Sequence, residues 1–301
     1  MPIEPSAAPR ASPRRSRLWR DPRARVAAVT LGVIVLCAIL APLLAPYDPS
    51  AQLDIVRLQN RPPSLAHPFG TDPFSRDVLS RMIYGARVSL SIAAVAVTLS
   101  MTFGIVLGTL SGYAGGVVDA TIMRLVDAAL SVPRLLQVIA VVALWGDVGV
   151  VPLTLLLAGT GWFGVSRLVR AETLSVRERE FVLAARALGT SPWRIVARHV
   201  LPNVAGPGLV AASLAIGNVI LLEAGLSYLG IGIRPPTPSW GTIIQDGAER
   251  VGDLWWLTLF PGLAILATVF ACNALGDALR ELLDPRQLHA ATLTDTLTPT
   301  R

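Results

Sequence analysis

Few residue types in this chain can do chemistry, and their spacing favours binding over catalysis. All 26 basic side chains are arginine. With no lysine there is no Schiff base, no Ser-x-x-Lys nucleophile, and no G-x4-G-K-[S/T] loop to hold the β- and γ-phosphates of a nucleotide. His67, His199 and His289 are scattered without metal spacing, and Cys37 and Cys272 sit inside apolar stretches as small buried residues. No residue set therefore recommends a catalytic, cofactor or metal site. One carboxylate, Glu223, falls late in an apolar stretch with Asn218 and Asn273 as neutral companions. It reads either as a pathway or proton residue or as a hydrogen-bonded structural carboxylate, and it lacks a relay partner.

The strongest binding signal is the arginine-studded segment from Arg167 to Asn203. Phe181, Ala184, Ala185 and Leu188 recur at i, i+3, i+4 and i+7, one apolar face of a helix, with Arg177, Glu178, Arg179 and Arg186 largely elsewhere. Gly189 ends that helix, because glycine takes a left-handed turn without a Cβ penalty. A second helix starts with Ser191 as N-cap and Pro192 at the first helical position. Trp193, Val196, Ala197, Val200 and Leu201 form its apolar face, Arg194 and Arg198 are displaced from it, and Leu201-Pro202-Asn203 is expected to end it. Such a hairpin either packs on its own protein or docks a soluble partner.

The elements around this segment are apolar. The chain has 301 residues, of which 52% are hydrophobic and 15% charged, with a mean hydropathy of +0.57. Soluble domains carry about 25% charged residues, so this is a membrane protein. Each of five charge-free runs approaches or exceeds the roughly 20 residues that cross a bilayer once. A sixth, between Arg134 and Asp147, is shorter and takes its start from Ser131-Val132-Pro133. The expected architecture is an all-α integral membrane protein with six transmembrane helices at about 26–46, 88–112, 131–148, 149–168, 206–231 and 254–277. A disordered basic tail (1–25), a hydrophilic hairpin (171–203) and a C-terminal tail (286–301) complete it. Val78–Ala86 is expected as a short interfacial helix, and Trp145, Trp240, Trp255 and Trp256 as interfacial anchors. Asp277 and Arg280 are spaced for a surface ion pair. Gly104 and Gly108, with Ala93, Ala94 and Ala96 upstream, permit close helix approach, either internally or to a second subunit.

Arginine placement orients the chain. Six spans put 19 arginines on the side of the termini, the 113–134 loop and the 167–203 segment, and 7 on the other. Positive residues are retained in the cytoplasm, so both termini and the hairpin are expected there. The basic N-terminus lacks the aromatic interleaving of a nucleic-acid site and reads as a tail near anionic lipid.

The hairpin resembles the cytoplasmic E-A-A-x3-G-x9-I-x-L-P motif of ABC importer permeases, with Ala184, Ala185, Gly189, Leu201 and Pro202 in register. Leu183 stands in place of the motif's glutamate and His199 in place of its isoleucine. The run AARALG…RHVLPN is similar to the dipeptide/oligopeptide subgroup. So, in the same order, are HPFGTDPFSRDVLSRMIYGARVSL, GYAGGVVDATIMRLVD, EAGLSYLGIG, PPTPSWG and LGDALRELLDPR. The resemblance implies a type I ABC importer permease fold, and an inner-membrane subunit that moves dipeptides, oligopeptides or a related solute without a cofactor. It also implies two ATP-binding subunits, a second, related permease subunit and an extracytoplasmic substrate-binding protein as partners. Phe181, Ala184, Ala185, Leu188, Gly189, Trp193, Arg194, Arg198, Leu201 and Pro202 would then form the ATPase-coupling surface. An ion-coupled secondary transporter and a membrane-embedded enzyme are the rival classes. The first would show a repeat of broken helices and the second a cluster of His, Asp, Glu or Cys, and neither is evident.

Overall fold

The computed structural model describes residues 21–146 and 149–283. Residues 1–20 of the expected N-terminal tail, and the whole tail over 286–301 with His289, lie outside the described residues. Helix α1 (Pro22–Ile39) is capped by Asp21, whose side chain accepts from Arg23 N, and has proline in its first turn. Short helices α2 (Ala41–Leu44) and α3 (Ile55–Leu58) follow. Helix α4 (Val78–Ala114) starts at Asp77, whose Oδ2 accepts from Ser80 N at 2.8 Å, and stops at Gly115 with φ of 67°. Its 37 residues span about 55 Å against a hydrocarbon core of about 30 Å. The separate interfacial helix expected at Val78–Ala86 is instead its first turns, because no breaker separates Ala86 from Val88.

Helices α5 (Gly116–Leu130) and α6 (Arg134–Trp145) meet at an angle of 84°. The Gln137 amide spans the break, donating to Ala129 O at 2.6 Å and Val132 O at 2.8 Å. The stretch read as a single span over 131–148 is thus the upper arm of a bent pair. The 113–134 loop counted with the termini is instead mostly α5 of that pair, with Arg134 at the bend, which leaves 18 arginines on that side against 7. Pro133 removes the N–H that would continue the lower helix, and α6 alone covers only about 18 Å. Helix α7 (Val150–Arg177) leads into α8 (Glu180–Ala187) and α9 (Pro192–Ile195). A π-helical turn (Val196–Val200) then joins α9 to α10 (Leu201–Tyr228). Helices α11 (Trp240–Gly247) and α12 (Trp255–Leu283) close the described chain.

The centre of the fold is the seam between α4 and α7. A Cβ placed at Gly104 would lie 2.5 Å from Val165 Cγ1, at Gly108 2.5 Å from Ser166 O, and at Gly112 2.8 Å from Thr173 Cβ. Glycines four apart thus form a groove along α4 that takes the matching ridge of α7, the close approach that membrane helices use in place of hydrophobic driving force. Ser100 Oγ donates to Ala158 O at 2.9 Å on the same seam. Of the two uses open to Gly104 and Gly108, the structure shows internal packing.

Contacts along the seam rise together in number on both helices, so α4 and α7 run parallel. Two parallel neighbours need a return crossing between them, and α5 with α6 makes it. Asp119 on α5 takes a bidentate pair from Arg170 on α7 (2.5 and 2.6 Å), and Asp127 pairs with Arg167. Five helices are long and apolar enough to cross a bilayer, and the bent pair is the sixth crossing.

At the end where α4 begins, the 46–77 loop is ordered by buried charge. Arg76 Nε donates to Asp72 Oδ2 at 2.6 Å, and Arg76 Nη2 and Arg81 Nη2 each donate to Asp246 Oδ2 at 2.9 Å. Beside them His67 Nδ1 lies 2.9 Å from Asp77 Oδ1. Burial pushes the Asp246 carboxyl above its ordinary value, against the pull of Arg81 and Arg76. Trp240 and Trp256, expected at the interface, are buried instead: Trp240 Nε1 donates to Met82 O and Trp256 Nε1 to Thr71 O. The folded-back loops cover both rings, while Trp145 and Trp255 stay exposed. Asp277 and Arg280 are exposed and form no ion pair among the described residues, since such a pair gains little over solvation.

Two substitutions test this packing in detergent-solubilised protein. Gly108→Leu should cost about 1–3 kcal/mol through overpacking of the seam, read as a lowered thermal midpoint, whereas Gly159→Leu, with no atom within 4 Å of its Cβ, should change little. Asp246→Ala leaves two buried guanidinium groups short of a partner and should cost about 3 kcal/mol, with exposed Asp253→Ala as the neutral comparison.

Candidate functional site

The 180–203 segment projects beyond the end of the α4–α7 seam. Helix α8 stops in a Schellman arrangement: Thr190 N donates to Ala185 O at 3.1 Å, Gly189 N to Arg186 O at 3.0 Å, and Gly189 has φ of 75°. Helix α9 begins after Ser191 with Pro192 in its first turn, although the Ser191 side chain makes no capping bond. The second arm was expected to end at Leu201-Pro202-Asn203. The structure corrects this: the helix runs on from Pro192 to Tyr228 through the π-helical turn. Leu201 N reaches back five residues to Val196 O. Pro202 follows that widened turn, so its missing N–H and its ring are tolerated within a continuing helix. The outer arm of the hairpin is therefore covalently continuous with a membrane-spanning helix.

A small core separate from the main one anchors the segment. Val182, Ile195, Val200 and Val204 are fully buried against Val169 and Val176 of α7, with Ile105, Tyr113, Val165 and Ala185 partly buried around them. Arg177 Nη1 donates to Gly112 O at 3.2 Å, placing a cation on the free carbonyls at the end of α4. The Arg186 guanidinium sits 5.9 Å from the Tyr113 ring centroid. The Phe181 and His199 rings pack 6.0 Å apart across the two arms.

The expected apolar faces divide in two. Val200 and, in part, Ala185 and Val196 turn inward. Phe181, Ala184, Leu188, Trp193, Ala197, Leu201 and Pro202 are exposed, Leu188 to 85% and Trp193 to 78%. Arg179, Arg194 and Arg198 flank them without an ion pair among the described residues. Val182 and Ile195 hold the segment in place and were missed because helical periodicity ranks both off the best apolar stripe. Which of two apolar faces points inward depends on α7, not on the segment.

Glu223 lies apart from this surface. It is fully buried, with Ser89 Oγ donating to Oε2 at 2.9 Å and Ser227 Oγ to Oε1 at 2.8 Å. Ser227 Oγ also accepts from Ile233 N, and Ser89 Oγ from Trp240 N. The carboxylate thus ties α4, α10 and the loop after α10 together.

Residues 104–289, more than half the chain, match the family described as the binding-protein-dependent transport system inner membrane component. Residues 14–63 match the N-terminal transmembrane domain of oligopeptide transport permease C. The chain belongs to the family of inner-membrane components of binding-protein-dependent transport systems. This permease is 40% identical over 270 residues to a putative peptide transport system permease of Brucella abortus, covering 90% of each chain. It is 40% identical to the di/tripeptide transport system permease of Pseudomonas aeruginosa over 86% of each chain. With the dipeptide transport system permease of Bacillus subtilis it shares 36% identity over 90% of this chain and 84% of that one. As a multi-pass permease it is a transport component.

The turn at Gly189 is testable by itself. Its Cβ would meet nothing within 4 Å, so only the backbone conformation opposes substitution. Gly189→Val should cost about 1–2 kcal/mol and Gly189→Asn clearly less, measured by thermal unfolding of the purified permease.

Proposed function

We propose that this permease forms one half of the membrane pathway of an ATP-driven importer for dipeptides, oligopeptides or a related small solute. In this reading a soluble binding protein delivers the solute outside, two ATP-binding subunits act in the cytoplasm, and a second, related permease completes the pathway. The carrying observation is the exposed apolar end of the anchored hairpin, with Leu188 and Trp193 at its tip and unpaired arginines around it. A lone surface hairpin would bury such side chains; a docking element leaves them for a partner's cleft, where they supply affinity while the arginines steer approach. The absence of lysine means that nucleotide chemistry of the P-loop type comes from elsewhere. The names of the relatives support the peptide assignment.

Coupling follows from rigidity. Movement of a docked ATPase presses on α8 and α9, the π-helical turn carries it into α10 without a loop, and the small core carries it into α7. Such a lever needs contacts that differ between the two states of the partner, which an apolar tip in a cleft that opens and closes provides. The arginine asymmetry supports a cytoplasmic hairpin and cytoplasmic termini. Exposed Leu125, Leu136 and Leu144 on the α5–α6 pair suit contact with a second permease. Glu223 serves structure in this reading, since both its oxygens are occupied by serine hydroxyls.

Trp193→Ala, and separately Leu188→Asp, should weaken co-purification of the native ATP-binding subunits by about tenfold or more, and abolish ATP-dependent solute uptake by vesicles, with the thermal midpoint of the isolated permease unchanged. Full uptake by both variants would remove the hairpin from the coupling path, and uptake driven by an ion gradient without the ATPase subunits would replace the importer reading.

A further inference from the structure

We propose that Arg134 is a solute-facing cation of the membrane pathway, a fixed positive charge that holds the carboxylate of a peptide in transit. The inference rests on the peptide-importer reading and adds a residue and a ligand group to it.

Arg134 opens α6 at the 84° bend. Its Nη2 donates to Leu157 O at 2.8 Å and its Nε lies 3.3 Å from Thr160 Oγ1, both on α7. A Cβ at Gly161 would come within 3.1 Å of Nη2, so the bare backbone there gives the guanidinium its seat. These contacts use two of five N–H donors and supply no negative charge. The nearby arginines differ: Arg167 pairs with Asp127 and Arg170 with Asp119. No carboxylate among the described residues lies within ion-pair distance of Arg134.

Depth decides what can balance this charge. Residues 148–166 carry no charge. At 1.5 Å per residue Leu157 and Thr160 lie about 10 and 15 Å from Val150, and about 15 and 10 Å from Arg167. The guanidinium is therefore anchored in the middle third of the apolar layer, beyond the reach of lipid phosphates at either surface. An unpaired cation there costs several kcal/mol and marks a substrate or ion path rather than a lipid-facing surface. The bend held by Gln137 keeps the charge at this depth. Around it, α6 exposes Leu136, Leu144 and Trp145. Every unmodified peptide has a terminal carboxylate, planar and suited to the open edge of a guanidinium.

The test uses the purified transporter complex in proteoliposomes with its binding protein, and dialanine and dialanine amide as solutes. Arg134→Gln keeps an N–H donor where Nε faces Thr160 Oγ1 but loses the charge. It should lower dialanine uptake by about tenfold, leaving uptake of the amide and the ATP hydrolysis stimulated by the binding protein within about twofold. Arg134→Lys should restore most of the dialanine uptake. Equal loss for both solutes, loss of the stimulated hydrolysis, or unchanged dialanine uptake in Arg134→Gln would overturn the assignment. Wild-type complex that hydrolyses ATP but moves neither solute would overturn the dipeptide reading on which the assignment rests, a result visible before any variant is made.

Discussion

Everything distinctive in this permease depends on how closely α4 and α7 approach. Three glycines one turn apart leave room for backbone and β-carbons of the opposing helix where any side chain would collide. Bilayer lipid is as apolar as leucine, so contact area of this kind, with hydrogen bonds such as Ser100 to Ala158 O, holds the pair. Because the two helices are parallel, the chain between them must return across the membrane. Only 35 residues, 115–149, are available, and they do so as a bent pair tied to α7 by Asp119, Asp127 and Arg134.

The same seam positions both ends of the molecule. At one end it presents Ile105, Tyr113, Val169 and Val176 as a second small core, against which the hairpin lays Val182, Ile195 and Val200. At the other, α4 continues past the apolar layer and carries Arg81 into the charge network with Asp72, Arg76 and Asp246. Buried ion pairs contribute little net stability but penalise any arrangement that leaves a charge alone. They hold the 46–77 loop in one conformation, as the apolar core holds the hairpin.

The continuity of α9, the π-helical turn and α10 makes the hairpin's second arm and the span one helix. A helix ending at Pro202 would have left a flexible joint between hairpin and span. A turn with a five-residue hydrogen bond absorbs the proline and keeps the helix whole. Such local widening recurs at functional positions because it changes the direction of side chains without breaking the rod.

Much was legible in residue order alone. Charge-free runs of bilayer length specify spans, the Gly189 and Pro192 signals specify the hairpin's corner, and the missing lysine removes P-loop chemistry, because each depends on a local property of the chain. The outcome at Pro202, the burial of Trp240 and Trp256, the partner of Gly104 and Gly108, and the division of the hairpin into inward and outward faces were not legible. The glycines depend on α7, the hairpin's two faces on α7 and α4, and the tryptophans on the 61–82 region, while Pro202 depends on a π-helical turn that apolar periodicity does not encode. Sequence by itself determined which segments are apolar, where the chain turns and which chemistries are impossible. Tertiary structure decided which apolar faces meet and which stay open, because periodicity records that a face is apolar but not what covers it.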